Sequence, residues 1–163
     1  MSDSYVAARK TGTQFNNRSF AELMAAVLAS GRHFRFQASG QSMYPLIHNG
    51  DILTVSPLAN KVYLGEVIVC LKPTEKTLVV HRIIHIQENK YLIRGDYTPS
   101  PDGLVTGNCL IGRVTRIEHA GRSSHWGLGL ERILLAFLSR RGWLEPLIDL
   151  YQRIRSSERT AHG

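Results

Sequence analysis

Only two cysteines, Cys70 and Cys109, occur in 163 residues, too few for the disulfide framework that staples small secreted domains. Cys70 falls in the apolar run Val67-Ile68-Val69-Cys70-Leu71, where a buried thiol behaves as a small hydrophobe. A reducing, cytoplasmic compartment is the expectation. No stretch reaches the roughly 20 apolar residues that a spanning helix needs. No N-terminal segment combines the basic start, apolar core and small-residue cleavage site of a secretory signal. A soluble or peripheral chain without a membrane anchor is therefore expected. Low-complexity tracts and internal repeats are also missing, and a composition of 43% hydrophobic and 20% charged residues is that of an ordinary folded domain. The length suits one compact domain with short appendages.

The formal net charge is +7. The basic residues do not form a stripe with interleaved aromatics, so no nucleic-acid partner is expected. Arginines do gather after residue 112, at Arg113, Arg116, Arg122, Arg132, Arg140, Arg141, Arg153, Arg155 and Arg159. Such a basic third serves either as a solvated face or as a contact for an anionic membrane surface or acidic partner.

Residues 1–14 are polar and aperiodic and read as a flexible tail. Ser19 and Glu22 have capping-box spacing, and Leu23, Met24, Val27 and Leu28 then recur at helical intervals up to Gly31. From residue 33 to 116 the pattern becomes short β-branched or alternating runs broken by Gly, Pro, Asn and Asp. Strands are predicted at 33–38, 51–56, 66–71, 77–87, 91–94 and 110–118, with Asn89-Lys90 as a hairpin turn. Helical spacing returns with Leu130, Ile133, Leu134, Phe137 and Leu138, and again with Leu144, Leu147, Ile148, Tyr151 and Ile154, the two runs separated near Gly142 and Pro146. The division expected is a tail at 1–14, one main domain at 15–120 that includes the N-terminal helix, a helical extension at 121–155 and a second flexible tail at 156–163.

Three constellations carry chemistry. The first is Ser39-Gly40-Gln41-Ser42-Met43-Tyr44-Pro45-Leu46, followed by Gly50-Asp51. A serine between a glycine and a proline sits on a constrained turn, where its hydroxyl can be exposed and a backbone N–H can face a reacting carbonyl. The second is Val79-Val80-His81-Arg82-Ile83-Ile84-His85. On an extended strand His81 and His85 share one face and Arg82 takes the other. A histidine near neutrality can take a serine proton, whereas arginine cannot. The third is Arg94-Gly95-Asp96-Tyr97-Thr98-Pro99-Ser100-Pro101-Asp102, whose two carboxylates could each orient His81 by accepting its second ring N–H. A metal is the rival use of two histidines four apart. That spacing suits a helix, the β-branched neighbours argue for strand, and no Cys or acidic partner stands at a supporting interval. No metal or cofactor is expected.

Taken in order, these motifs resemble the S24/S26 peptidase superfamily, which includes type I signal peptidases and LexA-type self-cleaving proteins. The pattern runs Ser-Gly-x-Ser-Met-x-Pro, Gly-Asp, Gly-Glu-Val-Ile-Val, His-Arg-Ile, Gly-Asp with a second Asp six later, and Ile111-Gly112-Arg113-Val114. It spans about residues 36 to 117. The resemblance implies a mainly β domain, a coiled sheet of the LexA and signal-peptidase type, with one N-terminal and two C-terminal helices. It also implies Ser42 as nucleophile and His81 as base, like the Ser-His branch of archaeal and endoplasmic-reticulum signal peptidases. Asp102 would then orient His81, with Asp96, Gly40 and Met43 in support.

There are departures. Gly40 stands where some members supply a hydroxyl to the oxyanion hole, and Tyr97 replaces the asparagine that commonly follows Gly-Asp. The partner implied is a leader or precursor peptide in extended form. The C-terminal helices could rest on a membrane or pair two copies. Two other readings stay open: a non-catalytic peptide-binding module, and a self-cleaving regulator, for which Ala120-Gly121 is a candidate scissile pair.

Overall fold

The computed structural model describes residues 5–8, 17–59 and 61–160. Helix α1, Asn17–Ala29, begins two residues before the expected cap, so Ser19 lies inside it, and Glu22 instead pairs with Arg18 one turn back at 3.0 Å. Its apolar stripe of Ala21, Met24 and Leu28 is buried. Gly31 follows with φ of 76°, the left-handed conformation that ends helices at little cost for glycine.

Among the described residues there are nine strands: β1 (Tyr5–Ala8), β2 (His33–Gln37), β3 (Ile52–Ser56), β4 (Val67–Lys72), β5 (Thr77–Gln87), β6 (Lys90–Arg94), β7 (Gly103–Thr106), β8 (Leu110–His119) and β9 (Arg122–Ser124). They form one sheet in the order β1-β2-β3-β8-β4-β5-β6-β7, with β9 beside β8. Every pairing is antiparallel except β1 with β2. The architecture is mainly β, as expected. Because side chains alternate along strands, β4 sends Val67 and Val69 into a core with α1, Phe34, Phe36, Leu53 and Val55. Its Ile68 and Cys70 point the other way, into a second core with Ile83, Ile93 and Val105. Phe20 of α1 meets Phe34 and Phe36 edge-on, with ring centroids 5.6 and 5.8 Å apart.

Several expectations need correction. Tyr5–Ala8 was expected in a flexible tail but pairs in parallel with β2; the open edge of β2, invisible to local periodicity, makes this strand. The rest of 1–14 lies outside the described residues. The hairpin turn is Glu88-Asn89, one residue earlier than expected, with Glu88 at φ of 53° and Lys90 already in β6. Strands β7 and β9 are too short to have left a pattern.

Helices α2 (Arg132–Arg140) and α3 (Leu144–Thr160) complete the chain. Pro146 lies in the first turn of α3, where its missing N–H has no helical partner to lose. Helix α3 also runs to Thr160, into the stretch from 156 that was expected to be a tail. Polar residues there carry no apolar period, yet an established helix propagates one backbone hydrogen bond at a time.

Candidate active site

The nucleophile candidate sits on the turn between β2 and β3. Gly40, at φ of 97°, permits the bend, and its N–H donates to Asn49 Oδ1 at 3.2 Å. Tyr44 N–H to Gln41 O at 3.0 Å and Ile47 N–H to Met43 O at 2.9 Å tighten the turn. Met43, Leu46 and Ile47 anchor it in the core, while Ser42 stays partly exposed. Met43 thus supports the site by packing.

His81 enters from β5. Its Nε2 is 3.1 Å from Ser42 Oγ, and its Nδ1 is hydrogen-bonded to Asp102 Oδ2. The structure therefore brings Ser42, His81 and Asp102 into one chain of contacts. His81 is buried at 5% exposure, so water does not compete freely for its ring.

His85 does not join them. The register of β5 on β6 shifts between Ile83 and His85, and the extra residue, Ile84, reverses the alternation. His85 pairs with Leu92 while Ile83 pairs with Ile93, so His85 ends on the face opposite His81. Strict alternation had put both histidines together, and the bulge is the reason that it failed.

The two loop carboxylates have separate jobs. Asp102 faces His81. Asp96 is buried against Arg82, which donates Nε–H at 2.8 Å and an Nη2–H at 2.6 Å to its two oxygens. Arg82 Nη1 also donates to Gly65 O and Gly127 O, both at 2.9 Å. His81 and Arg82 thus divide the strand: one face meets the serine and the other clamps three loops.

Three residues contribute to this site in ways the sequence did not reveal. Lys72 donates from Nζ to Asp102 Oδ1 at 2.9 Å and lies 2.7 Å from Glu75 Oε1. Register was the available signal: Ile68 pairs with His81 and Lys72 with Thr77, so Lys72 shares the face of His81. Burial pushes the Asp102 carboxyl up, but hydrogen bonds from His81 and Lys72, with their charges, outweigh it and hold the group below its usual range. The hydrogen bond to Glu75 leads the effects that raise the Lys72 ammonium, burial opposing and Asp102 adding to it.

Gly95 is the second. A Cβ there would lie 2.5 Å from Ser42 O, 2.7 Å from Thr98 Cγ2 and 3.1 Å from His81 Nε2; its place in a Gly-Asp pair was the hint. Tyr97 is the third. Its N–H donates to Ser42 O at 2.8 Å and its phenol to Asp149 Oδ1 of α3 at 2.8 Å. That second bond leads the effects raising the phenol above its usual value.

Beside Ser42 runs a groove floored by Phe36, Met43 and Leu53 and walled by Leu78, Val79 and Val80. Strand β5 pairs with β4 over 77–82, but its ladder with β6 begins only at Arg82. Among the described residues no strand covers the other edge of 77–81, which is open to main-chain pairing.

Among the described residues, one cluster has the residue types and spacing to hold a cation: His48, Asp51 and His119, with ligand atoms within 4.8 Å of one another. Asp51 is already satisfied there by the His48 N–H at 2.7 Å and by His119 Nδ1 at 2.6 Å. The Ala120-Gly121 pair forms the tight turn between β8 and β9, both residues with positive φ, unlike the extended backbone that strand pairing requires.

No curated protein matches the chain. A sequence model of the family described as Peptidase S24-like matches residues 4–100, a span that includes Ser42 and His81 and ends just before Asp102. With more than half of its length matched, this chain belongs to the Peptidase S24-like family, a family of serine peptidases and LexA-like protease-fold proteins.

Proposed function

We propose that the chain is a serine endopeptidase that cleaves an extended leader or precursor peptide through Ser42, His81 and Asp102. The observation that carries this reading is His81 itself, bonded to Ser42 on one ring nitrogen and to Asp102 on the other. Ser42 Oγ attacks the peptide carbonyl as His81 Nε2 takes its proton, and Asp102 holds the imidazolium that forms. Backbone N–H groups, that of Ser42 among them, stabilise the oxyanion. His81 then protonates the leaving amine, and water, deprotonated by the same ring, resolves the acyl-enzyme.

Substrate enters by adding a strand to the free edge of β5 beside the groove. Main-chain bonds supply affinity there and the shallow apolar floor selects small side chains. A self-cleaving regulator gains no support from Ala120-Gly121, which is taken up in a turn.

The test is cleavage of a peptide library by wild type, Ser42→Ala and His81→Ala, read by mass spectrometry across a pH series. Each substitution is expected to remove most turnover, with His81→Ala costing ~10²–10⁴-fold. The double variant should be little worse, because the pair acts as a unit. Equal cleavage by all three would overturn the reading.

A further inference from the structure

Helices α2 and α3 bury a narrow inner face, Ala136 and Ser139 on one and Leu144 and Ile148 on the other. Their outer faces are apolar as well. Ile133, Leu134 and Phe137 of α2 are about half exposed, and Leu147, Leu150, Tyr151 and Ile154 of α3 form an exposed stripe at helical spacing. The stripes meet where the Arg141 guanidinium lies over Phe137 at 4.9 Å and over Trp143 at 5.9 Å. Leu130, just before α2, is 86% exposed. Scattered apolar residues on a surface mean little, but a stripe of this extent marks an interaction face.

Charge on these helices is sorted. The acids turn inward: Glu131 accepts the N–H groups of Gly127 and Gly129 at 2.6 and 3.1 Å, Glu145 lies 3.7 Å from Arg94, and Asp149 accepts the Tyr97 phenol. Arg140, Arg141, Arg153 and Arg155 are exposed, and no acidic side chain of α2 or α3 is exposed among the described residues.

We infer that this helical pair is an interfacial anchor for an anionic lipid surface. Apolar side chains enter the acyl boundary, Trp143 and Tyr151 sit at headgroup depth, and the arginines meet lipid phosphates. A second copy fits less well, because two such faces together oppose Arg140, Arg141, Arg153 and Arg155 to the same arginines, with no exposed acid between them among the described residues. The helices lie on the surface and do not span it: no helix among the described residues is long and apolar enough to cross a membrane. The Asp149–Tyr97–Ser42 contacts join the anchor to the nucleophile turn, so the site would work on peptides held at the membrane. That consequence rests on the peptidase reading, whereas the lipid binding does not.

The experiment is co-sedimentation of the full chain carrying Ser42→Ala with phosphatidylcholine vesicles, with and without phosphatidylglycerol. Binding is expected with the anionic vesicles only, with a blue shift of tryptophan emission. Leu150→Glu with Ile154→Glu, and separately Arg153→Glu with Arg155→Glu, should each lower partitioning by more than about tenfold at unchanged helix content by circular dichroism. Equal binding to both vesicle types, or unchanged binding by either double variant, overturns the anchor. So does protein left in the supernatant. Sedimentation velocity then identifies a second copy as the occupant if a dimer is dissociated by the same substitutions, and a monomer excludes that occupant too. Failure here leaves cleavage of soluble peptides by the Ser42 parent untouched, so the two readings are tested apart.

Discussion

Lys72 Nζ lies 2.9 Å from Asp102 Oδ1, the carboxylate oxygen that does not face His81. The carboxylate is therefore held from both sides, and the lysine acts as a positioning residue. Asp102→Asn should lower kcat/KM by ~10²–10⁴-fold, since the amide favours the wrong tautomer of the ring. Lys72→Met should cost less, about tenfold, the scale of one charge-assisted hydrogen bond. Steady-state kinetics checks both, and a Lys72→Arg variant recovering most of the rate separates positioning from simple loss of packing.

Acid should uncouple this arrangement in a defined window. Asp102 titrates below its unfolded value in the folded protein, so its pairing contributes stability in full above the ordinary carboxylate range and loses it as the pH falls through the depressed folded value. Urea midpoints of wild type and Asp102→Asn should therefore differ near pH 6 and converge at strongly acidic pH. A gap that persists unchanged into acid would contradict the pairing.

The two thiols should behave differently. Burial, the largest cause, pushes the Cys70 thiol up to about 12, whereas Cys109 is partly exposed. Thiolate is the reactive form, so maleimide at neutral pH should add one label to the native protein, at Cys109, and two in denaturant. Intact mass with peptide mapping reads the result. Because the folded value of Cys70 is raised, its burial favours the native state without loss at neutral pH and is lost as the pH climbs from about 9 towards 12.

Behind the site, Gly95→Ala should abolish turnover and lower stability by ~1–3 kcal/mol, because its Cβ would strike Ser42 O at 2.5 Å. Asp96→Ala should cost more, ~3–5 kcal/mol, by leaving Arg82 charged in a fully buried position. Thermal melts rank the two. An Asp96→Ala protein as stable as wild type would refute the clamp.

Local chemistry was readable in the sequence because it is written in adjacent residues. The Gly40-to-Pro45 turn, the alternation of β4 and β5, and the apolar spacing of α1, α2 and α3 each lie within a dozen residues, so periods of 2 and 3.6 and the turn formers reveal them. Those cues named Ser42 and His81 and a mainly β fold. They left Asp96 and Asp102 as equals; the family resemblance favoured Asp102, and the path of the folded chain brings that carboxylate to His81 and Asp96 to Arg82. The bulge at Ile84, the pairing of Tyr5–Ala8 on the edge of β2, the contact of Lys72 with Asp102 and the buttressing of Ser42 by Gly95 and Tyr97 are likewise tertiary. Each depends on register or close approach between segments distant in the chain, and a one-residue shift in register moves a side chain to the other face.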